Sequence, residues 1–345
     1  MLPAKVKILF VVKANAYGHG AAPLAKEAER LRLKGEPSAD FFGVSSVEEG
    51  AALRKAKIKT PILILGSLYP FESFLEAARL NLIPTVASLE GARQLSAAGL
   101  KIKKRLAAHL KIDTGMGRVG VSHKNAFEVV DFLSKSRGAA LTGIYTHFSS
   151  ADSDSGYTRL QIERFNKALK NNGLKNGKIL IHASNSAAVL NHPEANYEMV
   201  RVGGVLYGLW PGFKPLLSFK ARIVFIKKME KGASVSYGRT FRARKPLRIA
   251  TVCVGYADGA PRAESNKGEV LVEGRRCKII GTVTMDMLMI DVTGVSGARV
   301  GSEVVLIGEE GKEQISASEA AGFSGTISYE TLCAISQRVP RVYHW

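Results

Sequence analysis

At 345 residues, 46% of them apolar, the chain suits two globular domains and has no apolar run near the ~18–20 residues of a membrane span. A net charge of +19 invites a nucleic-acid partner. The densest basic clusters, residues 101–105 and Arg239–Arg248, lack interleaved stacking aromatics, so they read as a generally basic surface with neither nucleic acid nor membrane as partner.

The start, MLPAKVKILFVVKANA, imitates a signal peptide. Its uninterrupted apolar run, Ile8 to Val12, is shorter than the ~7–15 residues of a signal core. Cleavage after Ala16 would also discard Lys13, so the segment reads as a buried strand of a cytoplasmic protein. Further strands are predicted at Phe41–Val44, Ile62–Leu65, Ile83–Val86, Leu106–Ile112, Leu141–Tyr145, Ile179–Ile181 and Met199–Val202. Helical patterns lie between them at Ala21–Leu33, Val47–Lys55, Phe71–Arg79, Leu89–Ala98, Asn125–Ser136 and Thr158–Lys170. Eight strands alternating with helices predict an α/β fold, a closed (β/α)8 barrel of the TIM type over residues 1–213, with a doubly wound open sheet as the alternative. After Gly212 short β-rich runs and glycine punctuation take over, predicting a mostly-β domain over residues 214–345 with one short helix at Ser316–Ala321. Cys253, Cys277 and Cys333 are odd in number and widely spaced. They read as buried reduced thiols rather than a disulfide framework, and no metal is expected.

Barrel active sites gather at the C-terminal ends of the strands, and phosphate often binds after strands seven and eight. Polar clusters fall at five of those ends: Lys13; KIDTGMGR from Lys111 to Arg118; YTHF from Tyr145; HASNSA from His182; and RVGG from Arg201 to Gly204. Each has an ordinary explanation. Lys13 is a solvated strand end, His147 and His182 are core histidines, Ser184 and Ser186 are helix caps, and Gly203-Gly204 is a turn. GMGRVG matches a dinucleotide fingerprint, but no helix opens within it and no acidic residue stands ~20 positions on, so that site is set aside. Ser122 reads as the cap of the helix that follows. Five clusters at one barrel end make a site. There a strand-end lysine is placed to form a Schiff base with an aldehyde cofactor.

The decapeptide VVKANAYGHG (Val11 to Gly20) resembles the pyridoxal-phosphate lysine segment of alanine racemases, as do KIDTGMGRVG, YTHFSSAD, HASNSAA, VSYGRTF, VGYADG, GTVTMD and SYETLCAISQRVPRVY. The resemblance covers nearly the whole chain. It implies an amino-acid racemase using pyridoxal 5'-phosphate and two bases to interconvert L- and D-alanine, which supplies peptidoglycan. By match, Lys13 carries the cofactor; Tyr17, Ser186, Gly203, Gly204 and Tyr329 bind its phosphate. His147 lies against the ring, and Arg201 faces the pyridine nitrogen. Arg118 and the Met285 backbone hold the substrate carboxylate, and Tyr237 is the second base. The family pattern implies a homodimer with shared active sites. In some relatives the lysine matching Lys111 is carbamylated. Two departures stand out. Relatives usually carry a further helix-and-strand segment before the lysine motif, so either the true start lies upstream or the β domain is short of an edge strand. Thr282 replaces an arginine common within GTVTMD, implying an altered entrance. Competing readings are a racemase of broader or basic amino-acid specificity, a non-catalytic pyridoxal-phosphate holder, and a decarboxylase on the same architecture, for which no cysteine-and-acid motif is found.

Overall fold

The computed structural model describes residue 3 and residues 5–174 and 179–344. The chain forms two compact units, residues 1–16 with 21–206 and residues 17–20 with 207–345. In the first, eight parallel strands close on themselves: β1 (Lys7–Val11), β2 (Phe41–Val44), β3 (Ile62–Ser67), β4 (Ile83–Val86), β5 (Leu106–Asp113), β6 (Ala139–Tyr145), β7 (Leu180–His182) and β8 (Met199–Val202). The pairing of Thr85 with His109 joins β4 to β5, and that of Leu9 with Arg201 returns β8 to β1. Closure at both places excludes the open-sheet alternative.

Parallel neighbours require a crossover. Helices Ala21–Leu33, Val47–Lys55, Phe71–Arg79, Leu89–Lys101, Ala126–Lys135 and Ser155–Asn171 supply six of them, and the six-residue Ser186–Asn191 lies in the last. Three of them start at a side-chain cap: Ser46, Ser88 and Asp154 accept from the backbone N–H three residues on. Ser122 is not such a cap. It ends a two-residue strand beside β5, and the helix begins after Asn125.

Residues two apart share one face of a strand. On β5 and β6 that face carries His109 and Lys111, then Gly143 and Tyr145, and these meet inside the barrel. A Cβ on Gly143 would lie 2.5 Å from the His109 ring, so the histidine is accommodated only because its neighbour has no side chain.

In the second unit, antiparallel strands run in the order Arg275–Lys278, Glu269–Val272, Glu303–Glu310, Phe219–Met229, Leu247–Val252, Leu288–Asp291. A bridge between Ile279 and Ile290 links the two edges. Ile223, Val252, Leu271, Val305 and Leu288 lie in its core. The short helix is Ala317–Ser324, capped by Ser316, and a second one, Ser328–Cys333, was not foreseen. Of the cysteines only Cys277 is buried. Cys253 lies just past a strand end and Cys333 closes a short surface helix, so both are exposed, against expectation. Among the described residues no helix is long and apolar enough to cross a membrane.

Candidate active site

Lys13 leaves β1 through a left-handed turn. Ala14, Asn15, Ala16 and Tyr17 all have φ between 51° and 56°. For non-glycine residues this costs roughly 1–2 kcal/mol each, so neighbouring groups must hold it. Ala16 N–H donates to Val12 O at 2.8 Å, and Asn15 Oδ1 accepts from Ala21 N–H at 2.9 Å. Glu49 supplies the strongest brace, accepting from Ala14 N–H with Oε1 and from Ser45 N–H with Oε2, both at 2.7 Å. Ser46-Val47-Glu48-Glu49 has the spacing of a capping box. Here the glutamate reaches past the cap residue to the lysine turn.

Arg201, on β8, is buried across the barrel mouth. Its Nη2 donates to Thr146 O and Ala183 O, both at 2.8 Å, and lies 3.2 Å from His147 Nδ1. Its Nη1 lies 3.1 Å from His182 Nδ1, and His182 Nε2 lies 2.9 Å from His109 Nδ1. A guanidinium only donates. His147 and His182 therefore accept at Nδ1 and keep their protons on Nε2. His182 then donates to His109 Nδ1, which leaves the His109 proton on Nε2. Burial first, then Arg201, keeps all three rings neutral: His147 and His182 fall well below the ordinary imidazole range, and His109 falls to about 3. Burial lowers Arg201 to about 10, which leaves it charged at neutral pH. Tyr145 stacks on His182 at 4.7 Å, and its hydroxyl bonds Thr85 at 2.9 Å.

Lys111 is buried with its Nζ 5.7 Å from the Tyr145 ring centre. Burial, then Arg118 and Arg201, brings its pKa down to about 8. Lys13 adds to that effect and also acts on His147. Lys13, Lys111, Arg118, His147 and Arg201 thus share one electrostatic neighbourhood at the C-terminal ends of β1, β5, β6 and β8. Beside it, Ser186 Oγ accepts from Gly203 N–H at 3.1 Å and Val205 N–H at 3.3 Å. The buried Ser184 hydroxyl has no hydrogen-bond partner among the described residues.

In the second unit Tyr17 packs edge-on to Tyr329 at 5.5 Å and against Tyr207 at 5.0 Å. Burial raises the Tyr17 phenol, which stays protonated and can donate. Tyr237 is 75% exposed on a tight turn, and Met285 is also exposed. Thr282, expected at an entrance, is buried, with its hydroxyl on Tyr237 O at 2.8 Å.

Sequence reasoning missed Glu49, His109 and Thr85. His109 had a signal, since it lies two residues before Lys111 and so on the same strand face. The others join the site through tertiary contacts between distant segments.

Two family models match the chain: the alanine racemase N-terminal domain over residues 1–211 and the alanine racemase C-terminal domain over residues 216–343. An alanine racemase from Symbiobacterium thermophilum is 43% identical, covering 98% of this chain and 90% of its own. One from Halothermothrix orenii is 44% identical, covering 99% and 91%. Among solved structures, alanine racemase from E. faecalis aligns with TM-score 0.90 at 35% identity, covering 99% of this chain and 92% of that one. The Bacillus anthracis enzyme with bound L-Ala-P gives 0.88 at 35%, covering 98% and 88%.

Proposed function

The chain belongs to the alanine racemase family, and from that premise we propose which of its residues perform the reaction. The protein is an amino-acid racemase dependent on pyridoxal 5'-phosphate that interconvert L- and D-alanine, the family's route to D-alanine for peptidoglycan.

The residues present suit that cofactor. The cationic neighbourhood of Lys13, Lys111, Arg118 and Arg201 favours an anion. The unpartnered Ser184 hydroxyl, the Ser186 hydroxyl and the side-chain-free backbone at Gly203 and Gly204 offer small polar groups beside it. Ser186, Gly203, Gly204, Tyr17 and Tyr329 are assigned to the phosphate, and His147 to the ring face. Arg201 is assigned to the pyridine nitrogen. Its Nη groups are bound to carbonyls and imidazoles, while its Nε–H makes no hydrogen bond among the described residues.

When bound, the cofactor supplies the electron sink that makes the Cα proton of the amino acid acidic. Lys13 Nζ would hold the cofactor and would move a proton on one face of Cα. Tyr237 Oη moves a proton on the other face. Arg118 and the Met285 N–H orient the carboxylate. Arg201 would donate a hydrogen bond to the ring nitrogen while keeping its own proton. We further assign the cofactor-holding part to residues 1–213 and the second base to residues 214–345, in a cytoplasmic homodimer whose sites are shared.

The observation that carries this reading is the gathering of Lys13 and an Arg201 held through both Nη groups at one barrel mouth. Borohydride reduction of the holoenzyme followed by peptide mapping tests it. The pyridoxyl group is expected on Lys13, and Lys13→Ala is expected to lose racemisation by several orders of magnitude. Labelling of a different lysine would overturn the assignment.

A further inference from the structure

Tyr237 stands on a turn that resists its own geometry. Ser236 has φ 63° and Arg239 has φ 51°, flanking Gly238 at φ 72°. Two non-glycine residues in the left-handed region would relax unless the turn were pinned. Thr282 lies beneath it. The Thr282 hydroxyl donates to Tyr237 O at 2.8 Å, and the Ser236 hydroxyl donates to Thr282 O at 2.6 Å. These bonds tie Ser236, one of the two strained residues, and its neighbour Tyr237 to one threonine. Thr282 is itself held from behind. Its hydroxyl lies 3.4 Å from that of Thr240, which accepts from Asn266 Nδ2 at 3.0 Å, while Asn266 Oδ1 accepts from Gly281 N–H at 2.7 Å.

We propose that Thr282 is a positioning residue that fixes the Tyr237 backbone so that its phenol meets the substrate Cα in one orientation. Thr282 acts through the turn, by its bonds to Tyr237 and Ser236. The inference rests on the reading of Tyr237 as one of the two bases.

The test exploits direction. Racemisation has an equilibrium constant of one, so kcat/KM must fall equally for both enantiomers whatever is damaged. Isotope effects are not so constrained. With Cα-deuterated alanine, the labelled step is the Tyr237 transfer for one enantiomer and the Lys13 transfer for the other. Slowing only the Tyr237 transfer raises the isotope effect in the first direction and lowers it in the second. A fall in the active fraction moves neither.

Thr282→Val in the holoenzyme is expected to lower kcat/KM about tenfold, the scale of one hydrogen bond left unmade, with isotope effects moving in opposite senses. Thr282→Ser, which keeps the hydroxyl, should restore both. In the cofactor-free protein, amide hydrogen exchange in the peptide containing Tyr237 should quicken in Thr282→Val and not in Thr282→Ser. Should the valine variant not fold, Ser236→Ala removes the companion bond and should shift the isotope effects in the same opposed way. Unmoved isotope effects and exchange in folded Thr282→Val would overturn the proposal. Tyr237→Phe separates the two layers: wild-type activity there would refute the base assignment itself, whereas an inactive Tyr237→Phe beside an unaltered Thr282→Val refutes only the role of Thr282.

Discussion

A guanidinium held by two carbonyls and two imidazoles donates hydrogen bonds without surrendering a proton. Arg201 is held in this way. Arg201→Glu is expected to slow racemisation by on the order of ten- to a hundredfold, the scale of a lost charge-assisted bond. It should also raise the fraction of turnovers ending in pyruvate. The measurement is the ratio of D-alanine to pyruvate from L-alanine; an unchanged ratio would make Arg201 a purely structural group. Lys111 carries a second expectation. With its pKa near 8 much of the amine is neutral in mild alkali, and a neutral amine adds CO2 with loss of one proton to give a carbamate anion. Arg118 and Arg201 would then face an anion instead of a third cation. Protein equilibrated with 13C-labelled bicarbonate should show a carbamate resonance that Lys111→Arg abolishes.

Strands β5 to β8 bring three neutral histidines together around one cation, and this sets a pH dependence. Each ring titrates below its unfolded value of about 6.5, so the unfolded chain takes up protons first as pH falls. Stability is fully present above about 6.5 and is lost as pH falls toward the folded values, near 3 for His109. The unfolding midpoint should therefore drop steeply from pH 6.5 to 4, and His109→Gln should flatten that slope. A midpoint independent of pH over this range would contradict neutral burial. Most of these elements were legible from periodicity, because alternating strand and helix patterns are local. Even the four-residue strands at Ile83–Val86 and Met199–Val202 form as predicted. The lysine turn was not legible as left-handed, since its conformation comes from Glu49, thirty-five positions away in the Ala14 bond. Nor was the helix Ser328–Cys333, which is six residues long and has no side-chain cap. The motifs pointed to the strand ends. The chain of bonds from Arg201 through His182 to His109 needed the closed barrel to become visible.

At the scale of the whole molecule, one base is assigned to each unit, and a symmetric dimer lets each site draw them from different chains. Lys13→Ala and Tyr237→Phe homodimers should each be nearly inactive. Refolded together, they should recover about a quarter of the wild-type site density, since half the dimers are mixed and each mixed dimer has one intact site. No recovery, with mixed dimers shown to be present, would place both bases in one chain. The small exchange at residues 17–20 has its own consequence. These four residues belong to the second unit although barrel sequence flanks them on both sides. Arg341 donates to Gly18 O at 3.1 Å and Tyr343 to His19 O at 3.0 Å, and any side chain at Gly18 would strike Leu332 O. The chain is therefore stitched rather than beaded. No single cut of the backbone yields two self-sufficient modules, because a barrel severed near residue 206 keeps a loop whose neighbours have left with the other half. Recombination that swaps residues 207–345 between relatives leaves this tetrapeptide behind and sets it against new partners.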